Sequence, residues 1–361
     1  MNTVAAQFDV TGDLIATEPL IGGHINDSFI LTYQADDRQQ RYLLQRINDT
    51  VFPHPEQVIE NIQHVTSHIA QRLNASGVPD VTRRVLTLVH TRAGALYYRD
   101  VAGAVWRLYH YITDTCVHQA VKTAEQAQAA GSAFGEFQQL LADYSGPRLH
   151  ETIPDFHHTP RRYSALDEAV RLDACGRVAM AHAELDFAQA QRSLAGALLD
   201  LHAAGELPER IVHNDAKISN VLFDNQTGVA LCVVDLDTVM PGLAIYDFGD
   251  MVRSMATTTA EDETDLARVE VRMPLFEGLA RGYLKSAGGF LTAAERDHLV
   301  VAGQLITLEQ GVRFLTDYLQ GDTYYKTRRP EQNLDRCRTQ FKLLESIERQ
   351  EALMIRVVES L

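Results

Sequence analysis

Between about residues 14 and 112, apolar and polar residues tend to alternate in short runs. SFILTY, RYLLQRI, RVLTLVH, ALYYRD and AVWRLYHYI read as β-strands separated by Gly, Asp and Asn. One stretch breaks the alternation. In HPEQVIENIQHVTSHIAQRL, Val58, Ile62, Val65, Ile69 and Leu73 recur at helical spacing behind Pro55, which predicts a helix starting near that proline. After the TDT at 113–115 the period lengthens, and EQAQAAGSAFGEFQQLLADY, FAQAQRSLAGALLDLHAAG and most of 292–320 and 331–358 read as helices. Two short strands interrupt this half, in IVHNDAKISNVLFD (211–224) and VALCVVDLDTVMPG (229–242), and TTTAEDETD (257–265) reads as a capped, solvated helix start. The expected class is therefore α+β. Residues 1–113 form a lobe with an antiparallel sheet and one helix, and residues 114–361 form a mainly helical lobe.

Length and charge narrow the picture. A chain of 361 residues can bury two lobes. Lys and Arg number 33 against 48 Asp and Glu, a net charge of −15, which argues against sequence-independent binding to nucleic acid or to an anionic membrane surface. Cys116, Cys175, Cys232 and Cys337 are too scattered for a zinc cluster or a disulfide framework. The beginning MNTVAAQFDVTGD lacks the basic start and apolar core of a signal peptide, and no apolar run approaches the ~20 residues of a spanning helix. A cytoplasmic monomer is the expectation.

The candidate chemistry lies where the apolar pattern is most disturbed. In HNDAKISN, His213, Asp215, Lys217 and Asn220 form an H-x-D-x-K-x-x-N set, and Asp235 follows fifteen positions after Asn220 in VVDLD. Asp and Asn alone often do no more than make a turn. The full set matches what phosphoryl transfer to a hydroxyl needs. Asp215 can accept the hydroxyl proton, Asn220 and Asp235 supply the oxygen ligands Mg2+ prefers, and Lys217 places a compact positive charge near the moving phosphoryl group. His213 is expected to brace the loop. Asp237 could be a second metal ligand or an acceptor behind the first, since on a strand it would share a face with Asp235. Either Asp247 or Asp250 in YDFGD is expected to anchor the loop through its backbone rather than bind metal.

The first lobe should hold the nucleotide. PLIGGHINDSF places Gly22 and Gly23 between strands, where backbone N–H groups can approach phosphate, although a GG turn alone is common. Arg46 falls where a protein-kinase strand carries its phosphate-pairing lysine, and Glu60 on the next helix could be its partner. An exposed strand charge and a solvated helix Glu explain the two equally well. WRLYHYITDT suits a hinge whose backbone meets an adenine ring, with Trp106 more at home in the core.

Taken together, GGHIND, LLQRIN, VWRLYHYI, AGSAFGEFQ, HHTPRRY, HNDAKISNVLFD, DLDTVMPG, YDFGD, RFLTDYLQGDTYY and PEQNLDRCRTQFKL resemble the aminoglycoside phosphotransferase-like kinases, which share the protein-kinase fold. Within that group, GHIN and RFLTDYLQGD resemble the N-acetylhexosamine 1-kinases. The resemblance implies transfer of the γ-phosphate of ATP, with Mg2+, to the anomeric hydroxyl of N-acetylglucosamine or N-acetylgalactosamine. It implies Asp215 as base near O1 and Asn220 with Asp235 as the metal ligands. His24, Asn26, Arg313 and Tyr324 would bind the sugar, and Gln45 with Arg46 would contact phosphate. Arg313 in LITLEQGVRFLTDY is otherwise an awkward burial, which a polyol or Glu309, one turn earlier, would relieve.

Rival readings remain distinguishable. A kinase of an aminoglycoside, choline or an amino acid would need carboxylates or aromatic faces for a cationic acceptor, and Arg313 would repel one. A nucleotide-binding regulator with a dead site would not need Asp215, Asn220 and Asp235 together. The 14 histidines, including His157 and His158, are too scattered to suggest metal storage.

Overall fold

A computed structural model describes residues 1–20 and 25–361, so Gly22, Gly23 and His24 lie outside the described residues. In chain order the elements are α1 (Asn2–Ala5), β1 (Asp13–Pro19), β2 (Asp27–Ala35), β3 (Arg38–Arg46), α2 (Pro55–Ala75), β4 (Tyr98–Arg99), β5 (Val105–His110), β6 (Thr115–Cys116), α3 (Ala124–Leu141), α4 (Thr159–Leu172), α5 (His182–Ala190) and α6 (Ala197–Ala203). There follow β7 (Arg210–Val212), β8 (Val221–Asp224), β9 (Ala230–Val233), β10 (Met240–Gly242), α7 (Ala244–Met255), α8 (Met273–Ala287), α9 (Ala293–Asp297), α10 (Leu299–Leu319) and α11 (Gln332–Glu359). Two compact units emerge. The first gathers Met1–Val117, Asp143–Pro154 and Val221–Pro241, and the second gathers His118–Ala142, Asp155–Asn220 and Gly242–Leu361.

The first unit carries the antiparallel sheet in the order β1-β2-β3-β5-β4. Alternation along β2 and β3 turns Leu31, Tyr33, Tyr42 and Leu44 into a core with Phe8, Trp106 and Leu108. The expected strand RVLTLVH is not one. The outer edge of β5 is divided, with β4 opposite Val105 and Trp106, and residues 87–89 reaching it only around the single bridge of Leu88 to Tyr109. Helix α2 begins at Pro55 as predicted and buries Val58, Ile62, Val65, Ile69 and Leu73. A second small sheet, β6-β8-β9, completes this unit.

The second unit is helical, built around Tyr163, Leu166, Leu308, Val312, Leu315, Phe341 and Leu344. α3 packs on α8 at close range: a Cβ at Gly131 would collide with the Leu279 carbonyl, and one at Gly282 with the Gln128 carbonyl. The predicted helix over 187–205 is broken by a 3-10 turn at Arg192–Gly196, where Arg192 pairs with Asp167 on α4. TTTAEDETD forms no helix; only a 3-10 turn at Leu266–Arg268 follows it, capped by Asp265. Among the described residues no helix is long and apolar enough to cross a membrane.

Candidate active site

Within the helical unit, the loop from His213 to Asn220 is held by one buried carboxylate. Asp247, in the first turn of α7, accepts the backbone N–H groups of His213 at 2.9 Å and Asn214 at 2.7 Å, and the Gln138 amide at 2.7 Å. Gln138 is fixed in turn by the Ala244 carbonyl and the Tyr283 hydroxyl. Burial pushes the Asp247 carboxyl above its ordinary range in spite of these donors. His213 stands edge-on to Phe134 and Phe137, and its Nδ1 accepts the Asp215 N–H at 3.3 Å, the bracing role expected of it. Asn214 adopts the left-handed conformation, φ 64°, that turns the chain toward Asp215. Of the two candidate anchors, Asp247 alone holds the loop backbone; Asp250 pairs with Arg253 at 2.8 Å.

Asp215 lies 2.7 Å from the Lys217 ammonium and accepts the Asn220 amide at 2.9 Å. Burial acts to raise its carboxyl, but Lys217, with His213 and Asn220, outweighs this and holds the group below the usual carboxylate range. It is therefore ionised at neutral pH, the form in which a carboxylate can accept a proton. Replacing Lys217 with Met removes the largest of the lowering influences while burial remains, so the acid limb of the pH profile of kcat/KM should move to higher pH. An acid limb left in place would show that Lys217 does not set this carboxylate.

Asn220 suits an oxygen-liganded dication. Both of its amide N–H bonds are spent on Asp215, one on the backbone carbonyl and one on the carboxylate, which leaves Oδ1 as the end offered to a hard cation. Asp235, the other predicted ligand, lies in the first unit. Hairpin β8-β9 starts at Val221, paired with Val233, and Asp235 follows two residues later, exposed and left-handed at φ 62°. Asp237 does not share its face. The segment is a 3-10 turn over Leu236–Thr238 rather than a strand, and Asp237 is buried against Arg107, 2.5 Å away. A second-ligand role for Asp237 is thereby corrected. Among the described residues no group of three His, Cys, Asp or Glu forms a metal site. The sparse protein donor set fits Mg2+, which completes its shell with phosphate and water.

The remaining residues of the first unit depart in part from expectation. Arg46 does not pair with Glu60: it faces its cross-strand neighbour Asp27 at 3.5 Å, both exposed, while Glu60 meets His150 at 2.8 Å. The strand partner is nearer than the helix. The Gln45 amide bridges Arg107 and Ser28, the residues opposite it on β5 and β2. Asn26 donates to Asp237 and accepts from the Asn48 backbone.

In the helical unit, α10 carries Arg313 above the rings of Phe156, Tyr325 and Tyr324 at 5.2, 5.8 and 5.9 Å. Among the described residues its one hydrogen bond is to Gln310 at 3.3 Å. Glu309 does not pair with it, being engaged by His157 at 2.8 Å and Thr159 at 2.7 Å. Asp317 gathers the N–H groups of Thr323, Tyr324 and Tyr325 and so presents Tyr324, 56 % exposed, beyond the end of the helix. Half-buried Arg162 lies near enough that desolvation and the Arg313 charge lower its guanidinium, and its Nε has no partner among the described residues. Arg253 on α7 feels the charges of both Asp215 and Arg313, and α7 packs on α10 and on the turn that ends at Asn220. One region of this unit thus holds the carboxylate and the guanidinium.

Residues 17–298 match the phosphotransferase enzyme family, more than half of the chain. The chain belongs to that family. It is an ATP-dependent phosphotransferase with hydroxyl acceptors and Mg2+ as its usual metal. The fold is similar to that of a microcompartment-associated aminopropanol kinase, with a TM-score of 0.60, 17 % identity, and coverage of 97 % of this chain and 96 % of that one. An aminoglycoside phosphotransferase from Alicyclobacillus acidocaldarius aligns with a TM-score of 0.58 at 14 % identity, covering 100 % and 97 %. A choline/ethanolamine kinase family protein from Mesorhizobium loti aligns at 0.54 and 16 %, covering 96 % and 93 %. The likeness shows a protein-kinase-like fold.

The sequence did not single out Gln138, Arg107 or Arg253. An arginine inside the apolar run VWRLYHYI was a signal, because a buried guanidinium demands a partner.

Proposed function

We propose that this phosphotransferase moves the γ-phosphate of ATP to the anomeric hydroxyl of an N-acetylhexosamine. The observation that carries the reading is Arg313, a guanidinium among aromatic rings with no carboxylate bound to it among the described residues. Five donors with so few acceptors favour a neutral, oxygen-rich ligand, whose hydroxyl and amide oxygens can fill them. A cationic amine would meet the Arg313 and Arg162 charges, with Glu309 already engaged by His157 and Thr159. Tyr324 offers an exposed ring for the apolar face of a pyranose.

In this reading Asp215 orients the anomeric hydroxyl and takes its proton, a small demand because that hydroxyl is more acidic than an ordinary alcohol. Lys217 offsets charge on the transferring group. Asn220 and Asp235 would hold Mg2+, which would supply positive charge to offset the negative charge of the nucleotide phosphates. His24, Asn26, Arg313 and Tyr324 would bind the sugar and Gly22 and Gly23 would serve phosphate, as the sequence resemblance implies. Arg46, loosely paired and exposed, can turn to phosphate, whereas the Gln45 and Glu60 side chains are mostly committed elsewhere. The test is ADP release with N-acetylglucosamine, N-acetylgalactosamine, choline, ethanolamine, aminopropanol and an aminoglycoside as acceptors. Turnover confined to the acetylated sugars is expected; turnover of an amine with none of either sugar would end the reading.

A further inference from the structure

A buried polar network in the first unit converges on Asp237, two residues past Asp235. Arg107 on β5 is 1 % exposed and Asp237 3 %. Arg107 Nη1 lies 2.5 Å from Asp237 Oδ1, while its Nε and Nη2 donate to Gln45 Oε1 at 3.1 and 2.8 Å. Asp237 Oδ2 accepts the Asn26 amide at 2.6 Å, and the Asp237 carbonyl accepts the Thr152 hydroxyl at 2.9 Å. Asn61 on α2 then donates to the Val239 carbonyl at 3.0 Å. The 3-10 turn and the residue after it are thus held from β5, the residue before β2, α2 and the 143–154 segment.

We propose that Arg107 is a positioning residue for the metal site, acting through Asp237 to hold Asp235 in its left-handed conformation. The proposal rests on the assignment of Asp235 to Mg2+. A non-glycine residue at φ 62° is a minor conformer that persists only where its surroundings fix it. The turn that begins at Asp235 is fixed on the side of Asp237, and there Arg107 supplies the paired charge. The guanidinium suits this task because two of its nitrogens are fixed on Gln45 while the third lies against Asp237, which holds the paired charge at one place. Through the Asn26 amide the same carboxylate also ties down the residue that precedes β2.

The experiment measures Mn2+·ADP binding by paramagnetic resonance and ADP binding in EDTA by calorimetry, with no sugar present. R107K keeps the charge but loses the fork, and is expected to weaken Mn2+·ADP roughly 3-fold or more with metal-free ADP unchanged. R107M/D237N removes both charges and should weaken Mn2+·ADP ~10-fold or more, again with metal-free ADP unchanged. Equal loss of both ligands, or no loss of either in R107K, would overturn the proposal and make the pair structural only. If wild-type protein binds ADP no better with Mn2+ than without, the assignment of Asp235 falls and the proposal with it. Mn2+·ADP binding by wild type together with failure on every acetylated sugar would sink only the choice of substrate.

Discussion

Asp215→Asn should lower kcat by about 10²–10⁴ while leaving Mg·ATP affinity nearly unchanged. The substitution is nearly isosteric, and the Asn220 amide keeps an oxygen to bond. What disappears is the negative charge that takes the proton and that Lys217 balances at 2.7 Å. Because the carboxyl is held below its ordinary range, wild-type protein carries this charge throughout neutral pH, so no change of buffer within that range should rescue the variant. Equilibrium binding of ATP analogues with steady-state kinetics separates the two quantities. A parallel loss of nucleotide affinity would place Asp215 at the nucleotide rather than at the acceptor.

Arg313→Ala should act on the other axis. Hydrogen bonds to a charged donor contribute about 1.5–3 kcal/mol each, so losing one raises the KM for the sugar roughly 10- to 200-fold. The ATP KM should hold. Stability should change little or improve, since the guanidinium is desolvated without a carboxylate and Glu309 remains satisfied by His157 and Thr159. A variant that folds, binds ATP normally and keeps the wild-type KM for the sugar would remove Arg313 from the acceptor site.

How much of the fold and the site is legible in the sequence follows from what each signal depends on. HNDAKISN is readable because its function depends on spacing within eight residues, and the loop indeed forms with Asp215, Lys217 and Asn220 in mutual contact. Helix α2 is readable because its five apolar residues repeat within one element. RVLTLVH misleads because alternation reports that a segment has two faces, not that a free strand edge awaits it; β5 has room for a single bridge there. Glu309 and Arg313 lie one turn apart, which suggests a pair, yet His157, just before α4, competes for the carboxylate at 2.8 Å. Arg107 and Asp237 are 130 positions apart, so the sequence can show that a buried charge needs a partner but not which one. The polar residues that stay local can be placed from sequence, and those that close long loops cannot.

The central claim is that Asp215 serves an anomeric hydroxyl. Phosphorus NMR on the product of ATP and N-acetylglucosamine tests it most directly, because coupling identifies the carbon that bears the phosphate. The account predicts a single phosphorus resonance coupled to the anomeric proton. Coupling to the C6 methylene protons, with none to the anomeric proton, would contradict it.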